Sequence, residues 1–222
     1  MTSLLKGKGV EIGAGNQPMA FENDVQITYI DKHSKEEFKK LYPEIDYPLM
    51  EKVVIGNSDY PLNIESSSYD FLIASHVLEH LRNPFRALED WCRIVKMDGY
   101  LFIIFPNRDD CFDRGRPYTD IFHLAQEYGI DNESEQMKGN LIAHIREHYL
   151  NTVFKDKDVN PDDNIDYEFQ INAGAVHYHV FGLLNTLEFF EYAKTRLNIP
   201  INIKEVQYKM GEIRYLLQKS HT

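Results

Sequence analysis

The stretch Val10-Glu11-Ile12-Gly13-Ala14-Gly15-Asn16, with Val25-Gln26-Ile27-Thr28-Tyr29-Ile30-Asp31 behind it, decides the fold. Gly9 to Ile12 is a short apolar run of the kind that forms a buried strand. It ends in glycines at 13 and 15, which allow a tight turn and a close approach to the backbone. Val25 to Ile30 reads as a second strand, and Asp31 stands at its end, 18 residues after Gly13. In an open α/β sheet, ligands collect beyond the carboxyl ends of such strands. A glycine turn and a carboxylate at that edge suit a nucleoside, whose ribose hydroxyls an acid accepts well.

A dinucleotide needs more. Its pyrophosphate rests on the N-terminus of a helix that follows the glycine turn directly. Here only Asn16 to Asp24 separate the two strands, and Pro18 stands where the third glycine of G-x-G-x-x-G belongs. The first helix is therefore expected to be truncated or absent, and the ligand to lack a diphosphate. This opposes an NAD-dependent oxidoreductase.

The pattern continues outward. Ser34 to Leu41 predicts a short helix, with Ser34 and Glu37 at capping-box spacing. Val53 to Ile55 and Phe71 to Ala74 predict the third and fourth strands. Asn83-Pro84 opens a helix whose apolar positions Phe85, Leu88, Trp91, Cys92 and Val95 follow the 3.6-residue period. Gly99 is expected to stop it, and Tyr100 to Phe105 to form the fifth strand. Residues 107–180 break the alternation and predict a helical insertion over the mouth of the sheet. Helices are expected there near Thr119 to Tyr128 and Glu135 to Leu150, with an exposed polar loop at Lys155 to Asp166. Asn185 to Leu197 predicts a helix capped by Asn185. Two strands, Ile201 to Tyr208 and Ile213 to Gln218, flank Met210-Gly211, a connection short enough to make them antiparallel. The expected architecture is α/β, one doubly wound, mostly parallel seven-stranded sheet with an antiparallel ending, spanning residues 1–222.

Bulk properties narrow the partners. The chain has 222 residues, 43% of them apolar, and a formal charge of −11. No Lys/Arg cluster marks a phosphate-binding face, so nucleic acid is not expected as a partner. No apolar run approaches the roughly 18 residues of a membrane span, and the opening MTSLLKGKG carries no signal-peptide core. Cys92 and Cys111 form no metal spacing, so a reduced, cytoplasmic protein is expected.

Val10 to Asn16 resembles the first motif of class I S-adenosylmethionine (SAM)-dependent methyltransferases. Tyr69-Asp70-Phe71-Leu72-Ile73-Ala74-Ser75-His76-Val77-Leu78-Glu79-His80-Leu81 is similar to the fourth-strand motif of their small-molecule branch. Pro84, Leu88 and the run from Arg93 through Asp98-Gly99-Tyr100-Leu101 extend the likeness over roughly residues 8–107. The short segment after the first strand departs from the family. The resemblance implies SAM as cofactor and S-adenosylhomocysteine as product. It implies Glu11 near the cofactor's amino group, Gly13, Ala14 and Gly15 beneath the ligand, and Asp31, with Lys32 beside it, at the ribose. It further implies Ser58, Asp59 and Tyr60 near adenine, and Ser75 and His76 at the methyl end. Glu79 and His80 fit a structural role as well as a site role.

The second half supplies acceptor candidates. Asp113-Arg114-Gly115-Arg116-Pro117-Tyr118-Thr119 precedes His123, then come Glu147-His148-Tyr149 and His177-Tyr178-His179. This order is loosely similar to methyltransferases of bacterial surface-polysaccharide synthesis. It implies a sugar or glycan-precursor hydroxyl as acceptor and an association with glycan-biosynthesis enzymes. A hydroxyl must lose its proton to a base in reach. His123 is the first candidate and His148 the second, with His76 a third. Arg116, Thr119 and His179 are candidates for gripping the acceptor. No strong metal site is apparent: as a zinc pair, His177 and His179 lack a third ligand that the sequence names. The remaining reading is a nucleoside-binding module without catalysis, partnering a biosynthetic enzyme.

Overall fold

The computed structural model describes residues 1–21, 25–41, 43–44 and 53–221. A single seven-stranded sheet runs in the order β3-β2-β1-β4-β5-β7-β6. The strands are β1 (Lys8–Ile12), β2 (Gln26–Asp31), β3 (Val53–Ile55), β4 (Tyr69–Ser75), β5 (Val95–Pro106), β6 (Ile201–Lys209) and β7 (Glu212–Lys219). β1 to β5 are parallel. β7 inserts antiparallel between β5 and β6. Met210 and Gly211 both have positive φ, 54° and 79°, which is what a two-residue hairpin turn twisted to match its strands requires.

β4 shows how the sheet divides the core. Leu72 and Ala74 point into the larger cluster, with Phe85, Leu88, Trp91 and Phe189. Phe71 and Ile73 point to the opposite face, with Phe102, Ile104 and Leu216. This follows from the two-residue period of a strand. Met1, Leu5, Met19 and Phe21 help to cover that second face. Among the described residues between β1 and β2 there is no helix, as the shortness of Asn16 to Asp24 predicts; residues 22–24 lie outside the described residues.

Six helices are described: α1 (Lys35–Leu41), α2 (Pro84–Ile94), α3 (Ile121–Tyr128), α4 (Glu135–Asn151), α5 (Tyr167–Ala173) and α6 (Leu183–Thr195). Ser34 and Glu37 bond reciprocally at the start of α1, the Ser34 amide to Glu37 Oε2 at 2.8 Å and the Glu37 amide to Ser34 Oγ at 3.2 Å. Asn83 Oδ1 accepts the Arg86 amide at 3.1 Å, and Pro84 begins α2. Phe85 then stacks on Phe189 at 4.5 Å.

Two expectations are corrected. α2 ends at Ile94, and Gly99 lies inside β5. Val95 pairs with Tyr69 while Tyr100 pairs with Phe71, so the residues between them bulge from the ladder. A Cβ on Gly99 would lie 2.6 Å from the Asp70 carbonyl, so glycine serves this bulge and does not cap the helix. Asn185 is the third residue of α6, not its cap. Its Oδ1 accepts the Gly182 amide at 2.7 Å, so it closes the helix start from inside.

Residues 107–180 are helical and contain no strand. α3 and α4 begin where Asp120 and Ser134 cap them. α5 went unrecognised in the sequence. Met137, Leu141 and Ile145 of α4 pack with Ile165, Val176 and Tyr178 in a cluster separate from the sheet's. Among the described residues, no helix is long and apolar enough to cross a membrane.

Candidate functional site

A crevice opens at the carboxyl ends of β1, β2 and β4. Ile12, Gly13, Gly15, Asp31, Lys32, Ser58, Asp59 and His76 line it. The Gly13 amide donates to the Ile30 carbonyl at 2.8 Å, so the turn after β1 is tied to the end of β2. Gly13 and Gly15 have φ of 63° and 54°, a conformation that side chains resist. A Cβ on Gly13 would also come within 2.9 Å of Val77. The Asp31 carboxylate accepts the His33 amide at 3.1 Å, which steadies it at the rim.

The lining suits a nucleoside. Ile12, Phe38, Val77 and Leu81 offer apolar surface, while Asp31, Asn57 and Ser58 offer polar groups. A pocket that is apolar with a few placed polar groups is what a small ligand requires. A nucleoside-bearing ligand therefore fits the residues present.

Other expected positions stand apart from the lining. Glu11 is buried, and both its oxygens accept the Met19 amide, at 3.0 and 3.2 Å. Burial pushes its carboxyl up to about 7. Its visible task is to fold the segment after Gly15 back over β1. Ala14 and Ser75 do not line the crevice, and Tyr60 lines a neighbouring groove with Pro61 and Arg86. Asp59 lines the crevice, yet its carboxylate takes the Arg82 amide at 2.8 Å. Lys32, whose ammonium burial pushes down, lies near both Asp31 and Asp59.

The histidines separate into distinct groups. His76 follows β4 with φ of 54° and lines the crevice. Its Nδ1 lies 3.4 Å from Glu79 and its Nε2 3.1 Å from Glu212. Burial acts to lower its pKa, but the two carboxylates outweigh this and raise it to about 9. Glu79 is fully buried, and its carboxylate has no hydrogen-bond partner closer than His76 Nδ1 at 3.4 Å. The surrounding histidines nonetheless hold it below the usual carboxylate range against its desolvation.

His123, His148, Arg116, Thr119 and His179 do not line this crevice. Arg116 is 1% exposed, and its guanidinium meets Asp113 at 2.6 Å, Glu147 at 2.6 and 2.7 Å, and the His177 carbonyl at 3.0 Å. The guanidinium is thus enclosed by the protein's own acceptors. His148 Nδ1 lies 3.2 Å from the same guanidinium. Burial and Arg116 push its imidazole down to about 4. Thr119 Oγ1 accepts the Val180 amide at 2.8 Å. His123 and His179 meet Glu127, away from the glycine turn.

Several lining residues escaped sequence reasoning. Phe38 of α1, His33 and Ala173-Gly174-Ala175 are among them, and Glu212 reaches His76 from β7. Gly174 has the left-handed φ of a helix C-terminal cap, 60°. That glycine is the one signal that could have marked the end of α5.

Comparison with known proteins now bears on this geometry. A family model described as "Methyltransferase domain" matches residues 4–161. Curated protein sequences gave no match. Among solved structures, a chain from the complex of the Haloferax volcanii Trm112 methyltransferase activator with a methyltransferase superposes with TM-score 0.54 at 11% identity, over 99% of this chain and 86% of that one. A methyltransferase from Bacillus halodurans gives 0.51 at 10% identity, over 96% and 93%. A SAM-dependent methyltransferase from Methanococcus maripaludis gives 0.50 at 15% identity, over 100% and 81%. At such identities these likenesses concern the fold, whereas the family model covers most of the chain. The chain belongs to the SAM-dependent methyltransferase domain family.

Proposed function

We propose that this methyltransferase acts on a small molecule, at a hydroxyl of a sugar or glycan precursor. One observation carries the hydroxyl reading: His76, in the crevice, is bracketed by Glu79 and Glu212. When bound, SAM supplies a sulfonium whose methyl group is already activated toward a nucleophile. The protein must then position an acceptor, exclude water and take up a proton.

In this reading Gly13 and Gly15 let the ligand lie close to the backbone, and Asp31 accepts the ribose hydroxyls. Ser58 and Asp59 border the base, and Lys32 screens the two carboxylates from each other. His76 accepts the acceptor's proton at a ring nitrogen, and the adjacent carboxylates stabilise the imidazolium that forms. Because they also hold His76 protonated near neutrality, turnover should climb as pH rises toward about 9. The acidic chain disfavours a nucleic-acid acceptor. A cytoplasmic setting and association with glycan-biosynthesis enzymes belong to the same reading, supported by two unpaired cysteines and by the order of motifs after residue 112.

The test is calorimetric binding of SAM and S-adenosylhomocysteine, followed by an acceptor screen with radiolabelled methyl donor that begins with nucleotide sugars. Methylation of a sugar hydroxyl is the expected result. A screen positive only for non-sugar acids would overturn the acceptor class. Tight SAM binding with no turnover on any acceptor would favour a binding module.

A further inference from the structure

We propose that His123, Glu127, His144 and His179 form a binding site for one divalent transition-metal ion of the zinc class, which fastens the helical insertion to the sheet. The site is built from three separate segments. His123 and Glu127 are four residues apart on α3, so they share one face. His144 comes from α4, and His179 from the extended chain before α6.

Their polar atoms converge on one another in a closed triangle. His123 Nε2 lies 3.1 Å from His144 Nε2, and each lies 3.2 or 3.1 Å from Glu127 Oε1. If both imidazoles donate to the carboxylate, two N–H groups face each other. If one imidazole donates to the other, the second turns a lone pair toward an anion. With Glu127 ionised, as its histidine neighbours keep it, no assignment of protons gives each of the three sides its own hydrogen bond. A cation at its centre satisfies them together. Four ligands about 2.0–2.1 Å from a tetrahedral ion lie about 3.3–3.4 Å apart, close to the sides observed.

The fourth ligand and the outer contacts agree. One ligand atom from each of the four residues lies within 4.8 Å of the others. His179 is 1% exposed, and its Nε2 lies 3.6 Å from Glu127 Oε2 and 3.0 Å from the Leu81 carbonyl. Its Nδ1 is buried with no hydrogen-bond partner. Glu127 is also 1% exposed, and its Oε2 has none either. Asn140 Nδ2 donates to Glu127 Oε1 at 3.2 Å. Metal-bound histidines and carboxylates are held by outer bonds of this kind. Imidazole-rich sets with one carboxylate suit zinc and its neighbours better than calcium or magnesium. The His123 side chain is 37% exposed, which gives an ion a way in.

The role is structural. None of the four lines the crevice, but Leu81, which His179 holds, does. Asn83, the cap of α2, donates to the Glu127 carbonyl at 2.7 Å. The ion would thus pin α3 and α4 against the crevice floor. A second cluster, Glu79, His80 and His177, is the weaker candidate. His80 Nδ1 is engaged by the Val176 carbonyl and His177 Nδ1 by Asp113.

The experiment is elemental analysis of purified full-length protein, then titration of chelator-treated protein with Zn(II), and with Co(II) followed by visible absorption. The expected result is one equivalent of metal, a tetrahedral Co(II) spectrum, and a melting temperature raised roughly 5–10 °C by Zn(II). His123→Ala and His144→Ala should each weaken Zn(II) binding at least ~100-fold, with far-UV circular dichroism reporting whether they remain folded. Wild-type protein with less than ~0.1 equivalent of metal and no micromolar affinity for Zn(II) would overturn the site without any variant. Wild-type affinity in a folded His123→Ala/His144→Ala protein, or loss of affinity only in His80→Ala, would overturn it equally.

Discussion

The parallel half of the sheet and the helical insertion of residues 107–180 are held together by different physics. Around β1, β4 and α2 the buried residues are Val10, Leu72, Phe85, Leu88 and Trp91, and they need nothing from one another but shape and burial. Between the insertion and the sheet the buried residues include Asp113, Arg116, Glu127, His177 and His179. There each group depends on a partner, because an unpaired buried charge costs several kcal/mol. The crevice lies where the two regions meet. β1, β2 and β4 bring Gly13, Asp31 and His76, and the insertion adds Ala173 to Ala175. The sheet side is thus a frame that tolerates apolar exchange, and the insertion side an electrostatic latch that does not.

Four substitutions probe that contrast, in falling order of effect. Arg116→Met should destabilise the protein by about 3–5 kcal/mol, since it removes the guanidinium that the buried Asp113 and the partly buried Glu147 share. Urea denaturation measures this. A variant of unchanged stability with a raised acceptor KM would return Arg116 to substrate binding. His76→Ala should lower kcat by ~10²–10³-fold while SAM affinity changes little, because it removes a base and not a ribose contact. An unimpaired kcat would shift the search for the base to His80. Asp31→Ala should weaken SAM binding by at least about tenfold in calorimetry, through the lost charged hydrogen bonds. Equal affinity would remove β2 from the site. Glu212→Gln should have the smallest effect. It takes away one of the two carboxylates that hold His76 at about 9, so the rising limb of kcat against pH should move down by about one unit. Here the active form is the unprotonated imidazole, so the variant should gain activity near neutral pH relative to its own plateau. A limb that stays in place would mean that another group titrates.

The frame was readable because its signals are local. Gly9 to Ile12 and Phe71 to Ala74 show apolar runs, and Asn83-Pro84 shows a helix start, all within a few residues. Gly99 misled because glycine serves both helix ends and strand bulges, and only the pairing of Tyr100 with Phe71 tells which. The latch was poorly readable. His123, His148, Arg116 and Thr119 draw notice as residue types, but a side chain's use depends on what faces it. Asn140, His144 and His148 form a stripe at four-residue spacing on α4 beside the apolar one of Met137, Leu141 and Ile145, and the sequence does not say what each stripe meets. His144, now placed against His123 and Glu127, drew no notice at all.

From the residues alone came the alternating sheet, the missing phosphate-binding helix, and the glycine turn and carboxylate at the strand ends. Each follows from short-range rules of backbone conformation and hydrophobic period. Only the tertiary structure decided which histidines face the crevice, that Glu212 reaches His76 from the last strand, and that four residues between 123 and 179 come together at one spot. Those outcomes depend on distances between segments far apart in the chain, and such distances exist only once packing has set them.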